Sequence, residues 1–320
     1  MLIFAAANQA LIMISRRNIR VKVMQTLYTL EAREQDAKPG EAVKILQRHF
    51  DQSRQLLTYL IYCITEVARY AETDSRLRAS KHLPSEQDLH VNIKLAGNEY
   101  LWKILEDPSW KKAIETDKPQ LQDNRELIRR MYLDLAATEE YKKYLTDAGR
   151  ERRSEKEMME FIFSSLLLPN ELFLAHIEEL FTNWDDDADM ICQILMGYLA
   201  KPGAISFQEI ISKDKKEFAV SLLETVIEKK PVIMDLILPR LKNWDAERIA
   251  TLDMILMQMG IAEFLFFETI PPKVTINEYI DLGKEYSTPQ SGQFVNGILD
   301  NIHKDLVRED KMHKINFKAN

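Results

Sequence analysis

Arg16, Arg17 and Arg20 open a predicted helix, SRRNIRVKVMQTLYTLE, and their chemistry is that of phosphate binding. A guanidinium forks onto phosphate oxygens, and free N–H groups at a helix start add further donors. Cations at the positive end of the helix dipole are disfavoured by about a few tenths of a kcal/mol each, which argues for a use beyond helix stability. The bland alternative is a solvated basic end that binds nothing. Other chemistry is missing: there is no HExxH, no paired CxxC, no nucleophile elbow and no glycine-rich loop after a strand. Cys63 and Cys192 lie far apart in apolar helical patterns and read as buried thiols. His82 and His90 fall in the polar connector KHLPSEQDLHVN, without metal-ligand spacing. No catalytic residue, metal site or cofactor is expected, and the chain reads as a non-enzyme.

A second set of polar residues lies near the other end of the chain. The last predicted helix has an apolar stripe of Phe294, Val295, Ile298, Leu299, Ile302 and Leu306. Its opposite face carries Gln293, Asn296, Gly297, Asp300, Asn301 and Lys304. Glycine in a helix interior costs about 1 kcal/mol relative to alanine. The Asn296-Gly297 pair therefore points to tight packing or to a binding surface.

The elements that must position these residues are helices. Hydrophobic residues make up 46% of the 320, with only 9 Gly and 11 Pro, and few runs alternate as strands do. This composition predicts an all-α fold. The net charge of −7 argues against a protein that coats nucleic acid with its whole surface, so any such role is local. Residues 1–33 are the basic exception, with Arg16, Arg17, Arg20, Lys22 and Arg33 against Glu31. Residues 1–14, MLIFAAANQALIMI, are too short to span a bilayer and lack the basic start of a secretory signal. They read as an extension, a packed first turn, or an upstream start with the physiological start at Met13.

Helical patterns then follow along the middle of the chain. One from Gln55 to about Arg78 buries Leu56, Leu57, Leu60, Ile61, Ile64 and Val67, and another ends at Asp107-Pro108. The run RERRSEKE, Arg150 to Glu157, reads as a solvated helix start with balanced charge. Two segments, each of two apolar helices, an Asn-Trp-Asp (Asn183-Trp184-Asp185 and Asn243-Trp244-Asp245) and a third helix, align loosely as an internal repeat, with Asp185 or Asp245 as caps. A nearly all-apolar helix beginning near Asp245 should be central to a bundle. Thr275 and Glu278 suit a capping box, Gly283 a close helix approach, and Thr288-Pro289 the start of the last helix.

The C-terminal stretch KVTINEYIDLGKEYSTPQSGQFVNGILDNI resembles the signature of the NusB family of transcription antitermination factors. That pattern runs Lys-Val-Ala-Ile-Asn-Glu, then Ser-x-x-Phe-Val-Asn-Gly-Val/Ile-Leu-Asp. LDMILMQMGIAEFLFFETIPPKV and the arginine-led first helix resemble the family's preceding segments. The likeness covers about 15–31 and 215–306, as in long members with helices inserted after the first. The resemblance implies a two-bundle helical fold enlarged by a helical insertion. Its parts would be an extension (1–14), the basic first helix (15–32), the insertion (33–212), the NusB-like C-terminal helices (213–310) and a tail (311–320). It also implies binding of boxA-type ribosomal RNA leader beside a small-subunit ribosomal protein acting as NusE. RNA polymerase and other Nus factors would join them in the cytoplasm, with no membrane involved. Carried over by position, Arg16, Arg17, Arg20, Gln293 and Asn296 would face RNA, while Asn277, Glu278, Phe294 and Gly297 would shape the surface. Gln290 and Gln293 are neutral where the family often carries charge, which lowers the expected salt dependence. The competing reading is a protein-interaction scaffold with weak or absent RNA binding.

Overall fold

A computed structural model describes residues 13–33, 40–241 and 249–315, and all regular structure among them is helical. In chain order the α-helices are α1 (Arg16–Glu31), α2 (Glu41–Ala79), α3 (Glu86–Leu89), α4 (Glu99–Glu106) and α5 (Pro108–Asp117). Next come α6 (Arg125–Ala137), α7 (Glu139–Thr146), α8 (Arg152–Phe161), α9 (Glu171–Leu180) and α10 (Trp184–Ala200). The last are α11 (Lys213–Glu228), α12 (Lys230–Ile237), α13 (Thr251–Phe266), α14 (Pro272–Tyr286) and α15 (Ser291–Arg308). The chain forms two compact units. One comprises Asp51–Ile211 together with Met13 and Ile14, and the other Ser15–Phe50 and Ser212–Asn320. Residues 41–50 at the start of α2 thus belong with α1 and α11 to α15. The segment 1–12, the tail residues 316–320 and the second Asn-Trp-Asp, Asn243 to Asp245, lie outside the described residues.

In the first unit the apolar positions of α2 behave as their spacing predicts. Leu56, Leu57, Leu60, Ile61, Ile64 and Val67 are all buried, and Cys63 and Cys192 are buried free thiols. The Asp107-Pro108 break starts α5, with Pro108 in its first turn and the Asp107 carboxylate accepting from Ser109 N–H at 2.9 Å. The first Asn-Trp-Asp is anchored otherwise than expected. Asn183 donates to Asp187 at 2.6 Å, and Ser53 donates to the same carboxylate oxygen at 2.7 Å.

The RERRSEKE run is not a wholly solvated start either, because Glu155 is completely buried. Its carboxylate accepts from Glu99 N–H at 2.7 Å and from Tyr144 Oη at 2.9 Å, and Arg150 stands 3.5 Å away. Asn98 accepts from the next two amides, Tyr100 and Leu101. The first three N–H groups of α4 are thereby satisfied, and a negative charge sits at the positive end of its dipole.

In the second unit α13 is the central element, as its nearly all-apolar sequence predicts, with every residue from Ile255 to Phe264 buried. The single acid in that run, Glu263, is a hub with no exposure to solvent. Arg20 of α1 donates to it through Nε at 2.7 Å and Nη2 at 3.1 Å. Thr275 and Tyr279 of α14 donate at 2.9 and 2.8 Å, so both carboxylate oxygens are doubly satisfied. Burial opposes the Arg20 charge, but Tyr279 and Glu263 outweigh it and hold the pKa above the ordinary arginine value. Lys314, from the segment after α15, donates to the backbone carbonyls of Glu263 and Phe267 at 2.7 Å each. Burial pushes its amine down to about 8.

These contacts correct two helix starts. Thr275 is no cap: α14 begins at Pro272, one turn earlier, which frees the Thr275 hydroxyl for Glu263 and turns Glu278 toward the arginines. Likewise α15 begins at Ser291 rather than Thr288, because Ser291 Oγ accepts from Thr288 N–H at 3.1 Å and donates to buried Asp253 at 2.8 Å. Gly283 faces the backbone of Gly292 at ordinary contact distance, and the tight approach is at Gly292. A Cβ on Gly283 would lie 3.5 Å from Gly292 N, and one on Gly292 would meet Lys284 Cγ at 2.7 Å.

Truncating either buried carboxylate strands its donors. Glu263→Ala should destabilise the second unit by about 3–5 kcal/mol, since it leaves the Arg20 charge uncompensated. Glu263→Ala combined with Arg20→Met should recover part of that loss. Glu155→Ala should cost about 1–3 kcal/mol in the first unit, where the stranded partners are an amide and a phenol. Urea denaturation with hydrogen-exchange readout by segment separates the two.

Candidate nucleic-acid interface

Ser15 caps α1 as its sequence suggests, accepting from Asn18 N–H at 3.2 Å. From that fixed start the three arginines take three different environments. Arg16 is exposed, its Cζ 5.5 Å from the centroid of the Phe218 ring on α11. No carboxylate among the described residues pairs with it. Arg17 is part-exposed at 35% and lies 2.6 Å from Glu285 and 3.7 Å from Glu278, both on α14. Arg20 is 2% exposed and bound to Glu263. An RNA-facing role for Arg20 gives way to this ion pair: one helical turn beyond Arg16, its side chain points inward, and its donors Nε and Nη2 are spent. A cation over an aromatic face gains about 0.5–1 kcal/mol at an exposed site, enough to offset the dipole cost of holding Arg16 there.

On α15 the buried face is Ser291, Gly292, Val295, Ile298, Leu299, Ile302 and Leu306. Gln293, Asn296 and Gly297 are exposed on the opposite side, and Phe294 is part-exposed at its edge. Nothing lies within 4 Å of where a Gly297 Cβ would stand. Tight packing inside the described chain is therefore not what this glycine serves, and its face is open. Farther along, Lys304 and Asp300 pair at 2.6 Å. Asn277 is exposed on α14, and Glu278 is the carboxylate that Arg17 and Arg20 share, at 3.7 and 3.5 Å.

The two sets meet α14 on different flanks. The arginines reach it through Glu278 and Glu285, whereas the start of α15 packs at Gly283 and Lys284. They are parts of one unit rather than a single cluster. Charge is partitioned between the units. Residues 51–211 hold 20 Lys/Arg against 29 Asp/Glu, net −9. Residues 15–50 with 212–320 hold 23 against 21, net +2. The acidity that argued against nucleic acid thus belongs to the other unit. Two residues that hold this surface in place are not evident from the sequence, buried Glu263 and part-exposed Phe218. The signal for Glu263 was a lone acid amid apolar residues in the last turn of α13.

No single helix among the described residues is long and apolar enough to cross a membrane. Comparison with known proteins gives a match to the NusB family over residues 175–304, which starts inside the segment read from sequence as an insertion. A solved structure of T. maritima NusB is 32% identical and covers 42% of this chain and 89% of its own, with a TM-score of 0.30. The transcription antitermination protein NusB of Desulfatibacillum aliphaticivorans is 42% identical over 102 residues, 32% of this chain and 71% of the relative. That of Methylacidiphilum infernorum isolate V4 is 42% identical over 103 residues, again 32% and 71%. On the identity and coverage of these two relatives, the chain belongs to the NusB family.

Proposed function

We propose that this protein is an RNA-binding transcription antitermination factor. It binds boxA-type nascent RNA of ribosomal RNA operons together with a small-subunit ribosomal protein acting as NusE, and joins RNA polymerase and other Nus factors in the cytoplasm. Its relatives are named for transcription antitermination. The observation that carries the RNA part is Arg16, exposed and without a carboxylate partner among the described residues, at a helix end that disfavours cations. Arg17 supplies a second, partly shared charge, and Arg20 holds the helix that presents both. Gln293 and Asn296 offer neutral hydrogen-bonding groups on an open helix face that Gly297 keeps low. The role is binding, not catalysis.

A second reading, a protein-interaction scaffold with weak or absent RNA binding, draws on the net charge of −9 over residues 51–211. Titration of boxA-type RNA across salt concentrations, with and without the ribosomal protein, separates the two. Binding that weakens with salt is expected, and each phosphate deprived of its cation should lower the slope by about 0.7 for single-stranded RNA. Arg16→Gln should remove nearly that much and Arg17→Gln less, because Glu285 and Glu278 already share its charge. A folded preparation that binds in neither condition leaves the scaffold reading.

Gly297→Ala tests the other face. With open space at the Cβ position, it should raise stability by about 1 kcal/mol. It should also weaken assembly if RNA or a partner approaches that face. A rise in Tm with unchanged affinity would remove this face from the interface.

A further inference from the structure

The start of α11 repeats the anomaly of α1. Lys213, Lys215 and Lys216 crowd its first turn, with Asp214 the acid among them, again at the positive end of a helix dipole. The chain brings the two starts side by side. Ile14 N–H donates to the Ile210 carbonyl at 3.1 Å, and α1 and α11 begin two and three residues later. Phe218 of α11 then lies under both Arg16 and Arg20, at 5.5 and 5.7 Å. The helices therefore run in the same direction over their first turns, with Phe218 at the seam.

Helical geometry sorts the three lysines. At about 100° per residue, Lys215 lies about 60° around the helix from Phe218, whereas Lys213 and Lys216 lie about 140° and 160° away. Lys215 is thus nearer the Phe218 side of the helix than the other two lysines, and it is part-exposed. Lys213 points elsewhere, its side chain 91% exposed and 3.8 Å from Glu217. Asp214 lies about 40° from Phe218 on its other side, so Lys215 and Asp214 flank the ring. The Ser212 hydroxyl engages its carboxylate and holds its pKa below the ordinary value.

Resting on the function proposed above, we infer that Lys215 is a phosphate contact on a second helix, so that the RNA backbone crosses from α1 to α11 over Phe218. Arg16 and Lys215 hold phosphates on either side of the seam. Phe218 positions the Arg16 guanidinium. The basic surface is then a two-helix feature, built from segments that lie about 200 residues apart in sequence.

The test uses the full chain with the ribosomal protein and a single-stranded boxA-type RNA, titrated at several salt concentrations. Lys215→Gln should lower affinity several-fold at low salt and reduce the salt slope by about 0.7, as Arg16→Gln does. Lys213→Gln, on the opposite flank of the same turn, should leave the slope unchanged. All three are surface changes, and an unaltered thermal midpoint verifies folding. If the unmodified chain binds and Arg16→Gln lowers the slope, but Lys215→Gln behaves like Lys213→Gln, this inference fails and the proposed function stands. If the unmodified chain does not bind RNA, both fail together.

Discussion

The carboxylate of Glu263 accepts four hydrogen bonds with no exposure to solvent, and the second unit is arranged around it. Taking a carboxylate and a guanidinium out of water costs several kcal/mol per ion, recovered only when the remaining lone pairs are also satisfied. Here they are, by Thr275 and Tyr279, so the pair ties α1 and α14 to α13 while Lys314 closes the backbone end of the same residue. The geometry leaves little freedom. The helix that supplies Arg20 to this site carries Arg16, exposed at its first residue, and part-exposed Arg17 in the preceding turn.

That constraint also explains how the arginines divide their work. Arg16 and Arg20, one turn apart, lie only about 40° apart around the helix, so position along it separates them: Arg16 is at the exposed first residue and Arg20 is buried. Arg20 is internal, Arg17 sits on the rim against two glutamates, and Arg16 rests on an aromatic ring. Glu155 does the comparable job in the first unit, but with neutral donors and a more distant arginine.

The helices and their buried stripes were legible because periodicity is local. The faces of α2, α13 and α15 follow from residue spacing alone, as do the buried cysteines. Partners distant in sequence leave no such mark. Arg20 looks like any member of an arginine cluster until Glu263, 243 residues away, is placed beside it. Glu155 was hidden in a charge-balanced run whose spacing suits a solvated helix. The helix starts at Pro272 and Ser291 departed from their capping signals because Thr275 and Ser291 had tertiary hydrogen bonds to make, with Glu263 and Asp253. Of the candidate surface, the residue types were readable; which of them reach solvent was not. The openness around Gly297 could not be told from tight packing by sequence, since both call for glycine.

The separation of Arg20 from its partner has a consequence for biosynthesis. At about 5–20 residues per second, Glu263 is polymerised roughly 10–50 s after Arg20. Over that interval the first helix has left the ribosome with a side chain destined for burial and nothing to neutralise it there, while the whole of Asp51–Ile211 is being made. The intervening unit holds its own core and can close during the wait. The basic helix must stay available as an unpaired segment until α13 and α14 emerge.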